Sequence, residues 1–173
     1  MHFETQDMRS LHLGSQQFDA AICLFDSIGY VETNDAVALV FEGVRRHLRE
    51  GGLFLFEFWH APAMLTSYEP VRVRRWHTAD GVVLRISETS LDVPLQLARV
   101  AYSIYELRKD GTYSSLSETQ SNRFFLVQEM AALLHGAGFV PLEWFDGYRT
   151  NTNIGPDTWH VVALARLGPG VGE

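Results

Sequence analysis

The sequence predicts an α/β fold interrupted by a run of antiparallel strands, and two observations carry that expectation. The first is a buried strand, an amphipathic helix and a second buried strand in succession between Phe18 and Phe58. The second is a change of texture near Glu69. From there β-branched and aromatic residues alternate with turn signals as far as Phe125, and a helix and two strands then restore the first pattern.

The opening strand is FDAAICLF, Phe18 to Phe25, a short continuous apolar run of the kind expected for a strand covered on both faces. Between Asn34 and Arg49, Val37, Val40, Phe41, Val44 and Leu48 recur at three- and four-residue intervals, which is one face of a helix. Thr33, Asn34 and Asp35 offer N-capping oxygens. Arg45, Arg46 and Arg49 suit the negative end of the helix dipole, and Gly51-Gly52 is a stop signal. Leu53 to Phe58 then reads as a second buried strand, completing a βαβ unit with a right-handed crossover.

Strands are expected next at Val71 to His77, Val82 to Thr89, Leu97 to Leu107 and Thr112 to Phe125, with turns at Ala79-Asp80-Gly81 and Lys109-Asp110-Gly111. A helix from Val127 to His135 ends at Gly136 and Gly138, and strands at Val140 to Phe145 and Thr158 to Leu167 follow. The expected organisation is a partial core over residues 1–68, an antiparallel β lid over 69–125, a return to the core over 126–167 and a flexible tail over 168–173.

Composition narrows the function. A net charge of -7 argues against a surface that neutralises nucleic-acid phosphates. The one basic run, Arg72, Arg74 and Arg75, would be split between the two faces of a strand and reads as solvated. Cys23, the only cysteine, reads as a small core residue, and no intrachain disulfide can form. The longest apolar runs fall far short of the ~20 residues that cross a bilayer. A soluble, cytoplasmic protein is expected. The histidines form no metal-binding motif, so no metal is expected, and neither a nucleophile elbow nor a phosphate loop occurs.

Four segments in order, FDAAICLFDSIGYV, DAVALVFEGVRRHLREGGLFLFEFW, EMAALLHGAGFVPLEWF and DTWHVVALARL, resemble the second half of a class I S-adenosylmethionine-dependent methyltransferase. Asp7-Met8-Arg9 and Phe25-Asp26-Ser27-Ile28-Gly29-Tyr30 are similar to segments of small-molecule members with a β-rich lid, including enzymes that methylate amino sugars. The resemblance implies a Rossmann-like methyltransferase sheet and transfer of a methyl group from S-adenosylmethionine to N or O of a small molecule. It implies that Asp7, Met8, Leu24 and Phe25 contact the cofactor. Asp26, Tyr30 and His60 become candidates to accept or relay a proton, and Glu57, Trp59, Tyr148 and Arg149 candidates to meet the substrate. Trp159 and His160 flank the same turn as Tyr148 and Arg149 and read as architectural. In the lid, relatives carry Glu-Thr-His-x-x-Arg where this chain has Glu118-Thr119-Gln120-Ser121-Asn122-Arg123, so no base is expected there.

The family's first strand, its glycine-rich turn and its ribose-binding acid should precede residue 1. The implied sheet is therefore incomplete, with an open edge at Phe18 to Phe25 that favours a homo-oligomer, a dimer first of all, or another chain. A non-catalytic methyltransferase-like subunit, or a fragment inactive without a partner, is the second reading. A β-rich ligand carrier centred on Val71 to Phe125 is the third, and the βαβ unit speaks against it.

Overall fold

Strand β1 (Phe18–Cys23), helix α1 (Asn34–His47) and strand β2 (Leu48–His60) form the βαβ unit, with β1 and β2 parallel, in a computed structural model that describes residues 3–169. Residues 170–173 of the expected tail lie outside the described part. Thr33 caps α1, its Oγ1 accepting the Ala36 N–H at 3.1 Å, and Val37, Val40, Phe41 and Val44 form the buried face. The helix ends earlier than its charge pattern suggests. Leu48 is already extended, so the glycine pair lies within β2, where Gly51 adopts φ 73° and the pairing with β1 shifts register. His47, buried at the end of α1, ties down the incoming chain: Nε2 accepts the Leu13 N–H at 3.1 Å and Nδ1 lies 3.0 Å from the Gln16 carbonyl.

Helix α2 (Ala61–Ser67) follows β2 directly, with a proline in its first turn where the missing N–H costs nothing. The repeating apolar signal is too short there to announce it. Strands β3 (Val71–His77), β4 (Gly81–Asp92), β5 (Leu97–Arg108) and β6 (Tyr113–Phe125) then form the antiparallel meander, each pairing with the next. Helix α3 (Val127–Gly136) leads to the antiparallel pair β7 (Phe139–Asp146) and β8 (His160–Leu167). The strand order is β3-β4-β5-β6-β2-β8-β7, with β1 joined to β2 off this path. By strand pairing the meander joins the rest of the sheet at the carboxyl end of β2, through Trp59 opposite Phe124 and His60 opposite Phe125.

Alternation along β2 sends Phe54, Phe56 and Phe58 to one face, where they pack with Phe41 of α1, Met130 and Leu134 of α3 and Phe139 of β7. Phe54 and Phe56 stack at 4.7 Å between centroids, and Phe41 meets Phe54 edge-on at 5.8 Å. Each fully buried ring stabilises the fold by roughly 1.5–3 kcal/mol. The opposite face is only partly covered, with Leu53 exposed and Leu55 half-buried. The expectation that β1 is covered on both faces therefore fails. Ala21 and Cys23 pack on the core, whereas Ile22 is 66% exposed, because no helix covers the second face and β1 has no second neighbour among the described residues. Among those residues no helix is long and apolar enough to cross a membrane.

The loop after β1 is pinned to the meander at Gly29, within a short 3-10 turn, Ser27–Val31. A Cβ there would lie 1.8 Å from Asn122 Oδ1 and 2.8 Å from the Arg123 carbonyl oxygen. Gly29→Ala should cost about 1–3 kcal/mol in urea denaturation through overpacking. Gly136→Ala, whose added methyl meets nothing within 4 Å, should be neutral or stabilising. Equal midpoints for the two variants would show that the loop is not held against β6.

Candidate active site

Ligands of open α/β sheets bind beyond the carboxyl ends of the strands, and here the ends of β1 and β2 meet the start of β8. The chain leaves β1 through two successive left-handed residues, Phe25 at φ 58° and Asp26 at φ 54°. Neither is glycine, so the backbone is strained at this point. The kink turns Asp26 inward, to 5% exposure, and Phe25 outward, to 82%. Asn122 Nδ2 donates to the Asp26 carbonyl at 3.4 Å and Ser27 Oγ to the Leu24 carbonyl at 2.7 Å, which hold the kink.

Strand β2 supplies the second carboxylate. Directly opposed residues share a face of a sheet; Trp59 lies opposite His160, and Glu57 lies two residues before Trp59. Glu57, Trp59 and His160 therefore project to the same side, away from the phenylalanine core. His160 Nδ1 lies 3.2 Å from Asp26 Oδ2 and 3.4 Å from Glu57 Oε1. The Tyr148 hydroxyl donates to Glu57 Oε2, and this bond pushes the phenol up to about 12.

The hydrogen bond to Asp26 raises the His160 imidazole above its ordinary value, against the opposing pull of burial. Burial raises Asp26, and His160 counteracts it. Both groups are thus shifted upward, the imidazole by the carboxylate beside it and the carboxyl by burial. Asp26 Oδ1 remains buried with no hydrogen-bond partner. The oxygen and nitrogen atoms of Asp26, Glu57 and His160 lie within 4.8 Å of one another, near enough to grip a cation.

A cavity of about 400 Å³ opens beside the cluster, lined by Asp26, Trp59, Trp159 and His160 on the core side and by Arg85, Ser87 and Tyr102 on the meander side. Its volume suits a small organic molecule. Tyr30, half-exposed, bonds across to Gln120 Oε1 of β6 at 3.3 Å, and burial raises its phenol.

Other candidates lie elsewhere. His60 belongs to the opposite face of β2 from Glu57; it is buried, its Nδ1 sits 3.2 Å from the Thr158 carbonyl and burial lowers its value. Arg149 is exposed in the β7–β8 turn with Asp146 at 3.4 Å. Asp7 caps the Met8–Ser10 turn and pairs with Arg9 at 2.5 Å, which lowers its carboxyl to about 2. Met8 is half-buried against the core, and Leu24 is half-buried beside the kink. His160, architectural by its place in the sequence, stands at the centre of the cluster. Its signal is the pairing of β8 with β2, which places position 160 opposite Trp59.

For a sulfonium nucleoside, the residues present fit one side. Phe25 offers an open ring and Asp26 and Glu57 a negative field, while the Asp7 carboxylate is already engaged by Arg9.

No family model matches the chain. Over 136 residues it is 27% identical to the dTDP-3-amino-3,4,6-trideoxy-alpha-D-glucopyranose N,N-dimethyltransferase of Streptomyces venezuelae, covering 77% of this chain and 51% of that protein. The chain thus spans about half the length of this curated relative. An S-adenosylmethionine-dependent methyltransferase from Clostridium acetobutylicum superimposes with a TM-score of 0.81 at 22% identity, over 96% of this chain and 64% of that one. An amino pentose methyltransferase from Micromonospora echinaspora involved in calicheamicin biosynthesis, solved with S-adenosylmethionine bound, does so at 0.73 and 21% identity, over 94% and 63%. The fold is that of the class I S-adenosylmethionine-dependent methyltransferases, with the α/β sheet and antiparallel insertion that the sequence implied.

Proton NMR should find His160 titrating above the ordinary imidazole value of about 6.5, and Asp26→Asn should bring it down. The sign for stability follows. A folded value above the unfolded one makes the stabilisation complete below about pH 6.5 and lost as pH rises through the folded value. The melting temperature of the wild type should accordingly fall more over that rise than that of His160→Gln. An imidazole at the ordinary value would rule out the hydrogen bond between His160 and Asp26.

Proposed function

We propose that this chain carries the acceptor side of an S-adenosylmethionine-dependent methyl-transfer site and directs a methyl group to N or O of a small metabolite in the cytoplasm. The observation that carries this is the Asp26–His160–Glu57 cluster at one end of a cavity of about 400 Å³, beyond the strand ends of this fold. The curated relative, an N,N-dimethyltransferase of an amino sugar, favours nitrogen.

The chain's residues answer two needs of such a reaction. An ammonium acceptor must lose a proton before its lone pair can attack, and neutral His160, backed by Asp26, accepts it. The carboxylates of Asp26 and Glu57 favour a cationic acceptor in a site where Trp59 and Trp159 exclude water. Phe25, Leu24, Met8 and the amides near Asp7 would hold the cofactor, which supplies an electrophilic methyl group when bound. Positioning does most of the remaining work. Tyr30 and Tyr148 orient groups at the rim, and the meander covers the acceptor as a lid.

A second reading, a methyltransferase-like subunit working through a partner, is favoured by the free edge of β1. Phe18 and Ile22 are exposed there, and the backbone groups have no strand beside them among the described residues. A second copy of the chain is the first candidate to cover them.

With labelled S-adenosylmethionine and a panel of amine acceptors, Asp26→Asn and His160→Gln should each lower turnover about 10²–10⁴-fold. Tyr30→Phe should lower turnover more than cofactor affinity, and His60→Asn should leave the rate of the folded protein unchanged. Transfer that survives loss of both Asp26 and His160 would sink the assignment. Sedimentation of the wild type against Ile22→Lys tests the edge, and a wild-type monomer that transfers methyl groups would remove the second reading.

A further inference from the structure

Asp26 and Glu57 are 5% and 3% exposed, and among the described residues neither has an arginine or lysine partner. The basic group that reaches both is His160, so two buried carboxylates face one imidazole that carries at most a single positive charge. Trp59, beside Asp26, and Tyr148, which donates to Glu57 Oε2, are neutral and add no compensating charge. Asp26 Oδ1 is buried with no hydrogen-bond partner at all. Buried carboxylates are ordinarily paired or bound to a metal, because an uncompensated charge away from water is costly.

The spacing matches a coordination shell. A zinc-class dication holds imidazole nitrogen and carboxylate oxygen at about 2.0–2.2 Å, which puts tetrahedral ligands about 3.3–3.6 Å from one another. His160 Nδ1 lies 3.2 Å from Asp26 Oδ2 and 3.4 Å from Glu57 Oε1, so two edges of such a shell are already formed. All three ligand atoms lie within 4.8 Å of one another, and the remaining edge, between two anions, closes when a cation sits between them. His160 lines the cavity and is the exposed member of the set, which gives an ion its entry path. One nitrogen with two carboxylates suits zinc and its neighbours better than magnesium or calcium, which take oxygen ligands. No sequence spacing reveals this set, because its members come from the loop after β1, from β2 and from β8.

We propose that Asp26 Oδ2, Glu57 Oε1 and His160 Nδ1 bind one transition-metal dication of the zinc class, and that this ion and the methyl acceptor exclude each other. The exclusion rests on the reading of His160 as the base for the acceptor. A nitrogen that gives its lone pair to a metal cannot take a proton, and the ion cancels the negative field that draws an ammonium group. Metal excess therefore closes the site and a chelator reopens it.

The test titrates zinc chloride into the 173-residue chain and follows the binding heat together with the histidine ring signals, with magnesium chloride as the comparison. One zinc per chain should bind and the His160 ring signals should shift saturably, whereas magnesium should do neither. His160→Gln and Glu57→Gln should each weaken zinc binding at least about tenfold, since even an outer-shell contact contributes that much. His12→Gln controls for adventitious binding. The His12 ring lies beside that of His47, centroids 6.4 Å apart, at the other end of β2, and its loss should leave the affinity unchanged. If His160→Gln does not fold, the wild-type ring signals and the visible spectrum of bound cobalt(II), which reports its ligands, decide the same question. No saturable binding, an unshifted His160 ring, or equal affinity in the His160 and His12 variants overturns the site. Methyl transfer that continues with the site saturated by zinc overturns the exclusion. Zinc bound at the cluster of a chain that transfers no methyl group leaves the metal site standing while the catalytic reading falls.

Discussion

Strand β2 has three hydrogen-bonded neighbours, β1, β8 and β6, and its two faces do different work. Phe54, Phe56 and Phe58 commit one face to the aromatic core, so the intervening residues must point the other way. That constraint delivers Glu57 and Trp59 to the open side at the carboxyl end of the strand. There the antiparallel partner β8 begins at His160 and the meander returns through β6. The cluster is thus a product of alternation plus pairing. A one-residue slip of β2 would bury Glu57 in the phenylalanine core and expose the rings.

The loop after β1 supplies what pairing alone cannot. Two left-handed residues in succession store strain, and the contacts of Asp26 and Gly29 with Asn122 and Arg123 of β6 overcome it. The result is a buried carboxylate within reach of an imidazole on another strand. Opposite it, Arg85 lies against two aromatic rings, with no ion-pair partner among the described residues. Negative and positive charge are kept on separate walls of one cavity, where a direct salt bridge between Asp26 and Arg85 would have cancelled both.

The fold was legible in the sequence because its signals are local. Val37, Val40, Phe41 and Val44 mark the buried face of α1 by spacing alone, and the turn signals at Asp80-Gly81 and Asp110-Gly111 separate the strands of the meander. The site was legible only in part. Asp26 and Glu57 stand at strand ends, where the fold directs attention. His160 becomes visible only through its register with Trp59, a contact between distant parts of the chain that no spacing rule encodes. His60 shows the converse. It is a suitable residue type next to the right strand, yet alternation turns it to the opposite face from Glu57 and onto the Thr158 carbonyl. The apolar run of β1 likewise records composition and not cover, which depends on what else packs against the sheet.

Arg123 is buried at the end of β6, and its guanidinium bonds the Glu32 carbonyl at 3.3 Å, pairs with Glu129 at 2.5 Å and lies 4.7 Å from the Phe125 ring centroid. One side chain thereby rivets the loop after β1, the root of the meander and the first turn of α3 together. The meander is fixed at β6 and, where Leu91 of β4 and Ala98 of β5 pack with Met64 of α2, along the near ends of its strands, while its far end at the turns around Asp80 and Asp110 is exposed. Any flexing of it therefore grows from root to tip. The cavity wall toward Arg85 can swing outward while the Asp26 end, and Arg72 next to α2, keep their geometry.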